Sequence, residues 1–417
     1  MIRIKIEATI LIGLIMSLCM CADREGEKPV DTGIKKILLE HVNPAEVGMS
    51  AELINQAENL FIHAVDEKKV LGYQLVIARK GRIVLDVAGG YRDLENKLPM
   101  ERNTLLRMAS NTKSITAVGV LNLVDQDLVS LQDPIVKYLD GFEADPANKI
   151  TIEQLLLHQS GYTNFAPFVG ELTPDPESPD NSPTLEHEGY KIGKEGPEVE
   201  PGSMFRYNNQ GYNILAALIE KVSGKRLPAF MEEKLFAPLG MTQTSYKIWG
   251  GDASRVAKQY WFANGAWEKL DVWEVEFPRG SAGIVSNAGD FVRFGQMLLN
   301  NGTYGDHRIL KSSTVKKATS ALIEVPEAYL SPEIEKEMGY DSEWYEYRDT
   351  RDLGIDKFRG YGFVVSDEGV FSHAGIFGTF MYIDPKRELV GVILTQSIYG
   401  GNPGQSFIEA INASIID

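Results

Sequence analysis

Ser110 and Lys113 stand three residues apart where a helical pattern begins, so their side chains project from one helix face. That pairing suits nucleophilic catalysis. A serine hydroxyl is a poor nucleophile near neutral pH and needs a base beside it. A lysine withdrawn from water holds its proton less tightly and can fill that role. A helix start also offers Ser110 a backbone N–H and a favourable dipole. The chemistry implied is acyl transfer: the hydroxyl attacks a carbonyl carbon, an ester forms on Ser110, and water releases it. Two further groups extend the set. Tyr207-Asn208-Asn209 follows Pro201-Gly-Ser-Met-Phe-Arg206 and precedes a second helical pattern. A phenol beside an ammonium ionises more readily, so Tyr207 can take the serine proton and return it to the leaving group. His373-Ala374-Gly375 lies in an apolar, strand-like run, where a glycine lets substrate approach the strand edge. The N–H of Ile376 can pair with that of Ser110 as an oxyanion hole.

Each piece has a structural alternative. Ser110 can be a helix cap with Lys113 solvated, Tyr207 a turn residue, and His373 a core histidine. Each also has a competitor elsewhere. Ser313 and Lys316 repeat the Ser-x-x-Lys spacing, Tyr162 and Asn164 the Tyr-x-Asn, His187 and Gly189 the His-x-Gly. Ser313 falls in a segment that reads as an exposed helix. His187 lies in an acidic, proline-rich stretch where no strand is expected.

Other schemes lack their residues. The sequence has no Gly-x-Ser-x-Gly elbow, no His-Glu-x-x-His helix and no phosphate loop ending in Gly-Lys-Ser/Thr. Its only cysteines are Cys19 and Cys21, so no cysteine nucleophile lies beyond residue 21. The formal charge of −16, with a pI near 5.0, repels phosphate backbones and argues against nucleic-acid binding. Neither a metal nor an organic cofactor is expected.

The elements that must position these groups follow from periodicity. Residues 50–66 read as a helix capped by Ser50, with Ile54, Ala57 and Phe61 recurring on one face. Residues 72–79 and 82–89 read as strands around the Lys80-Gly81 turn. Residues 379–383 and 389–395 form a second hairpin, and 406–416 a closing helix. Helical patterns occupy 110–124, 151–158, 211–222 and 288–299. Strands at both ends with helices between predict an α/β fold: an antiparallel sheet flanked by terminal helices, plus an inserted helical lobe. The sheet lobe is expected over about 45–107 and 270–416, and the helical lobe over about 108–269. Residues 173–201 and 323–352 read as long loops.

The first residues have a separate character. Arg3 and Lys5 precede an apolar run over 8–20, the pattern of a secretory signal rather than a spanning helix. A polar tether is expected over 22–44. The run resembles a bacterial lipoprotein signal, with Cys21 the lipidated residue. Leu18 three positions earlier agrees, whereas Met20 is bulkier than the usual residue there. This implies export, to the periplasm or to a membrane-anchored place in the cell envelope.

Taken together and in this order, the three motifs resemble those of the serine β-lactamase and penicillin-binding protein superfamily. The closer similarity is to class C β-lactamase-related hydrolases, which include DD-peptidases, D-aminopeptidases and esterases. It spans about 45–416 and includes residues 151–161, 224–246 and 280–290. The resemblance implies Ser110 as nucleophile, Lys113 as its proton partner and Tyr207 as general base. It implies that Asn209 contacts Lys113 and the substrate amide, with His373 and Gly375 beside the acyl group. Two positions depart from the pattern. Asn208 separates Tyr207 from Asn209. His373 stands where β-lactamases carry a lysine that helps hold the ligand carboxylate. Histidine is mostly neutral at pH 7, which disfavours efficient β-lactam hydrolysis; towards pH 6 it is expected to charge and to favour carboxylate-bearing ligands. The expected substrate is a carboxylic ester or a D-amino-acid-containing peptide. A β-lactamase, or a non-catalytic envelope protein that only binds ligand, are the alternatives.

Overall fold

The computed structural model describes residues 39–162, 184–246, 254–263, 265–270, 278–326, 357–398 and 401–417. All belong to one compact unit, Lys36–Asp417. The signal-like run and Cys21 lie outside the described residues. Among the described residues the first strands are β1 (Glu40–His41), β2 (Gly72–Arg79), β3 (Arg82–Asp93) and β4 (Leu98–Pro99). Short strands follow: β5 (Leu106–Arg107), β6 (Tyr260–Ala263), β7 (Ala266–Lys269), β8 (Val285–Ser286), β9 (Thr303–Tyr304) and β10 (His307–Arg308). The closing strands are β11 (Ile323–Glu324), β12 (Phe358–Gly360), β13 (Phe363–Val365), β14 (Phe371–Gly375), β15 (Thr379–Asp384), β16 (Leu389–Thr395) and β17 (Ser397–Ile398).

The main sheet runs β1-β3-β2-β16-β15-β14-β13-β12-β11, with β4 paired to β3. Antiparallel β2–β16 pairing joins the two ends of the chain, from Arg79 opposite Leu389 to Tyr73 opposite Thr395. Every residue of β2 is buried, because the sheet is covered on both faces. Alternation sorts its side chains. Tyr73, Leu75 and Ile77 enter one core with Phe61 and Phe407, whereas Val76 and Ala78 enter the other with Phe291 and Met381.

The first core is closed by the terminal helices α1 (Ala51–Asp66) and α10 (Gly404–Ala413). Ser50 caps α1 by accepting from the Leu53 N–H at 3.3 Å. Phe61 and Phe407 meet edge to face at 5.5 Å. Each large aromatic so buried contributes about 1.5–3 kcal/mol of hydrophobic stabilisation. The second core holds α2 (Thr112–Asp125), α3 (Ile152–Leu156), α4 (Leu185–Glu195), α5 (Gln210–Ser223), α6 (Leu227–Met231), α7 (Ala237–Leu239) and α8 (Ala288–Leu299). A further helix, α9 (Ser312–Ala318), buries only Val315 and Ala318. Helix α2 is buried on every side from Thr112 to Leu121, as a helix at the centre of a domain must be.

This is the expected α/β architecture, with three local differences. The tether expected to reach residue 44 stops earlier: Glu40 and His41 pair in parallel with Arg82 and Ile83. Residues 185–195, expected within a loop, form α4. Its polarity hid it, yet Leu185, Ile192 and the small Gly189 and Gly193 give it a buried side. The β6–β7 hairpin lies inside the span expected to be helical. It pairs with β17, not with the main sheet.

Candidate active site

Ser110 sits in a single tight turn, Ala109–Asn111, that feeds directly into α2. Ala109 adopts φ +46°, a left-handed conformation that costs a non-glycine residue about 1 kcal/mol or more. Surrounding bonds hold it there. Asn111 Nδ2 donates to the carbonyl and to the hydroxyl oxygen of Thr379, each at 3.0 Å. The Thr379 hydroxyl donates to the Met108 carbonyl at 3.0 Å, and the Met108 N–H donates to the Ile284 carbonyl at 3.0 Å. The turn is thereby tied to β15 on one side and to the segment before β8 on the other.

Lys113, one helical turn on, is fully buried. Its Nζ lies 3.1 Å from Ser110 Oγ, 2.8 Å from Asn209 Oδ1 and 3.0 Å from the Ser281 carbonyl oxygen. It also faces the Tyr207 ring, 4.8 Å from its centroid. Burial holds its proton affinity well below that of an ordinary lysine. Both carbonyl oxygens can only accept, so they take two N–H bonds whatever the charge state. The third tetrahedral position points at Ser110. There an ammonium donates to Oγ, and a neutral amine offers its lone pair to the hydroxyl proton.

Asn209 and Tyr207 reach this point from the start of α5, and Asn208 divides the work with them. Asn208 Oδ1 accepts the Gly211 N–H at 2.8 Å, in the manner of a helix cap. Its Nδ2 donates to the Arg206 carbonyl at 2.7 Å. Asn209 makes no capping bond and keeps its oxygen for Lys113. Asn208, the middle residue of the Tyr-x-Asn motif, therefore has a clear structural use.

His373, Gly375 and Phe371 alternate along β14 onto one face. Gly375 packs against the Ser110 turn: a β-carbon there would overlap the Met108 carbonyl oxygen and sit 3.2 Å from the Ala109 β-carbon. Ile376 is half-buried, in a turn closed by the Gly378 N–H and the Gly375 carbonyl at 3.0 Å. His373 is buried, with Nδ1 2.8 Å from the Ala374 carbonyl oxygen. A carbonyl cannot donate, so Nδ1 carries the proton and a neutral ring leaves Nε2 as an acceptor. Burial, then the charges of Lys113 and Arg359, push its pKa down to about 3. The expectation that His373 charges towards pH 6 is therefore corrected: in its folded surroundings it is neutral there.

The structure thus gathers Ser110, Lys113, Tyr207 and Asn209 around one amine and sets β14 against the Ser110 turn. The competitors lie elsewhere. Ser313 and Lys316 are exposed on α9. Tyr162 is buried, donating to the Ile192 carbonyl at 3.1 Å, and Asn164 lies outside the described residues. His187 and Gly189 are on α4, not on a strand.

Several supporting groups escaped sequence reasoning. The Ser281 acceptor is a backbone atom and leaves no side-chain signal. Its N–H donates to Asn213 Oδ1 at 3.2 Å, and Asn213 Nδ2 donates to Glu188 Oε1 at 3.0 Å. Glu188 is buried, 3.6 Å from Arg279, and its carboxyl pKa is raised by burial. His158 also went unassigned, although its stretch over 151–161 belongs to the resemblance.

Comparison with known proteins agrees with this architecture. The family model described as Beta-lactamase matches residues 57–409. Protein Rv1367c of Mycobacterium tuberculosis is 26% identical over 357 residues, covering 74% of this chain and 81% of that protein. Among solved structures, EstCE1, described as a hydrolase with promiscuous acyltransferase activity, superposes with a TM-score of 0.68 at 22% identity. That match covers 88% of this chain and 99% of EstCE1. The D-amino acid amidase of Ochrobactrum anthropi superposes with a TM-score of 0.66 at 22% identity, covering 87% of this chain and 99% of the amidase. With the match to the family model spanning both the Ser110 turn and β14, the chain belongs to the Beta-lactamase family of serine hydrolases.

Proposed function

We propose that this protein is an exported hydrolase that forms an acyl-enzyme on Ser110 and acts on a carboxylic ester or on an amide or peptide containing a D-amino acid. The observation that carries the reading is the Lys113 amine, buried and held by Asn209 and Ser281 with its third position aimed at Ser110 Oγ. In the first half-reaction Oγ attacks the substrate carbonyl carbon as its proton passes to the Lys113–Tyr207 pair. The N–H groups of Ser110 and Ile376 stabilise the oxyanion. The bond to the leaving group breaks, and Tyr207 returns the proton to the departing oxygen or nitrogen. In the second half-reaction water attacks the Ser110 ester, its proton goes to the same pair, and Ser110 recovers a hydrogen as the acid leaves.

The substrate part of the reading is supported by His373. A neutral imidazole whose only N–H is spent on Ala374 supplies neither charge nor donor to a carboxylate. This favours neutral acyl substrates over β-lactams. The fold is shared with a D-amino acid amidase, in keeping with the amide alternative. The export part rests on Arg3, Lys5, the apolar run and Cys21, which support lipid attachment at the bacterial cell envelope.

Labelling with a fluorophosphonate, followed by intact and peptide mass spectrometry, tests the central claim. One adduct is expected, on the peptide that contains Ser110, and Ser110→Ala removes both label and turnover. An adduct on Ser313, or normal turnover by Ser110→Ala, overturns the proposal.

A further inference from the structure

His158 is a buried histidine that the proposed reaction does not use. It follows α3 with φ +57°, a left-handed backbone rare outside glycine, asparagine, aspartate and histidine. Three contacts connect it to Tyr207. Its carbonyl accepts the Arg206 N–H at 2.8 Å, and its Nδ1 accepts the Asn208 N–H at 3.2 Å. The residues on both sides of Tyr207 are thus held by one histidine. The imidazole also lies against the Tyr207 ring, with centroids 4.4 Å apart and planes at 35°. It also meets Tyr212 at 5.0 Å and Phe205 at 6.0 Å, so the imidazole is packed among three aromatic rings.

We infer that His158 is a positioning residue for Tyr207: it fixes the backbone on either side of the tyrosine and supports its ring, so that the phenol meets Ser110 and Lys113 in a single orientation. This rests on the reading of Tyr207 as the general base. The arrangement requires a neutral ring, since Nδ1 must accept and the proton must sit on Nε2. Its surroundings enforce that state. Burial is the largest cause of its lowered proton affinity, followed by Lys113 from α2, Arg359 from β12 and His373 from β14. The rings of Tyr207 and Tyr212 lie against it with planes tilted by 35° and 38°. The left-handed backbone serves the same end, because it lets one residue offer both its carbonyl and its side chain to the 206–208 segment.

A double-mutant cycle separates positioning from simple stability. His158→Asn tolerates the left-handed backbone and keeps an acceptor near Nδ1, but removes the ring beneath Tyr207. His158→Phe is the complementary variant, keeping a ring and losing the acceptor. Each is measured alone and with Tyr207→Phe, as kcat and KM on a short acyl ester, per site titrated by fluorophosphonate. Tyr207→Phe alone is expected to cost about 10²–10⁴-fold in kcat. His158→Asn is expected to lower kcat about tenfold or more with little change in KM, and by less than about twofold once Tyr207 is already phenylalanine. His158→Phe shows the same non-additivity with a smaller loss, and either variant suffices if the other fails to fold. Equal losses in both backgrounds, or unchanged kcat, overturn the inference while leaving Tyr207 as base. If Tyr207→Phe itself retains full kcat, the base assignment fails instead.

Discussion

Gly375 faces the Met108 carbonyl so closely that a β-carbon at position 375 would overlap its oxygen. The residue therefore sets the distance between β14 and the turn that carries Ser110. The same added carbon would overlap the Thr379 hydroxyl, which already donates to Met108. Neither neighbour is the free end of a flexible side chain, so the strand or the turn must move.

Gly375→Ala is accordingly expected to act on geometry before it acts on folding. Overpacking of this kind costs about 1–3 kcal/mol of stability. A displacement of about 1 Å between nucleophile and oxyanion donors costs about 10²-fold in kcat/KM. Ester turnover measured beside a thermal melt separates the two. A folded variant with unchanged turnover shows that β14 does not set the acyl position.

Lys113 predicts a pH dependence of stability. An unfolded lysine keeps its proton up to its ordinary value of 10.5, whereas the buried one releases it at lower pH. Between those two values the folded state binds fewer protons, so stability rises with pH across that window. The slope is at most about 1.4 kcal/mol per pH unit. Lys113→Met removes the group and with it this contribution. Urea unfolding between about pH 7 and about pH 9 should show the wild type gaining on the variant as pH rises. Parallel curves mean that Lys113 keeps an ordinary proton affinity.

The sequence disclosed those features that repeat or that depend on side-chain type. The α8 pattern matches the observed Ala288–Leu299, because its apolar stripe faces a single sheet. Strands β15 and β16 were equally legible, since both pack against α8 across one face. Helix α4 was not, because charged residues dominate it and its buried side depends on Leu185, Ile192 and small glycines. At the site, Ser110, Lys113, Tyr207 and Asn209 were visible as motifs. The Ser281 carbonyl was not, since any residue supplies one. Nor was the neutral state of His373, which depends on burial and on Arg359 from β12, charges and walls that only folding brings together.

His373 carries the last prediction, on substrate choice. Its pKa falls from 6.5 to about 3 on folding, so the folded ring stays neutral where a free histidine would charge. Its contribution to stability is full above about pH 6.5 and is lost as pH falls from there towards about 3. Acidification therefore strains the fold before it supplies a cation to the substrate. The ratio of kcat/KM for a carboxylate-bearing ester to that for a neutral ester should stay level, within about twofold, between about pH 8 and about pH 6. His373→Lys places a cation there and is expected to raise that ratio by about tenfold, the effect of one charge-assisted bond of about 1.4 kcal/mol. Both proteins are measured at both pH values, with thermal melts to confirm that each is folded. A wild-type ratio that climbs several-fold on acidification means that the imidazole does gain a proton near pH 6. The Nδ1–H bond to Ala374 would persist with the second proton on Nε2, but the lowered proton affinity of the buried ring would then be wrong, and charged substrates such as β-lactams would regain their case.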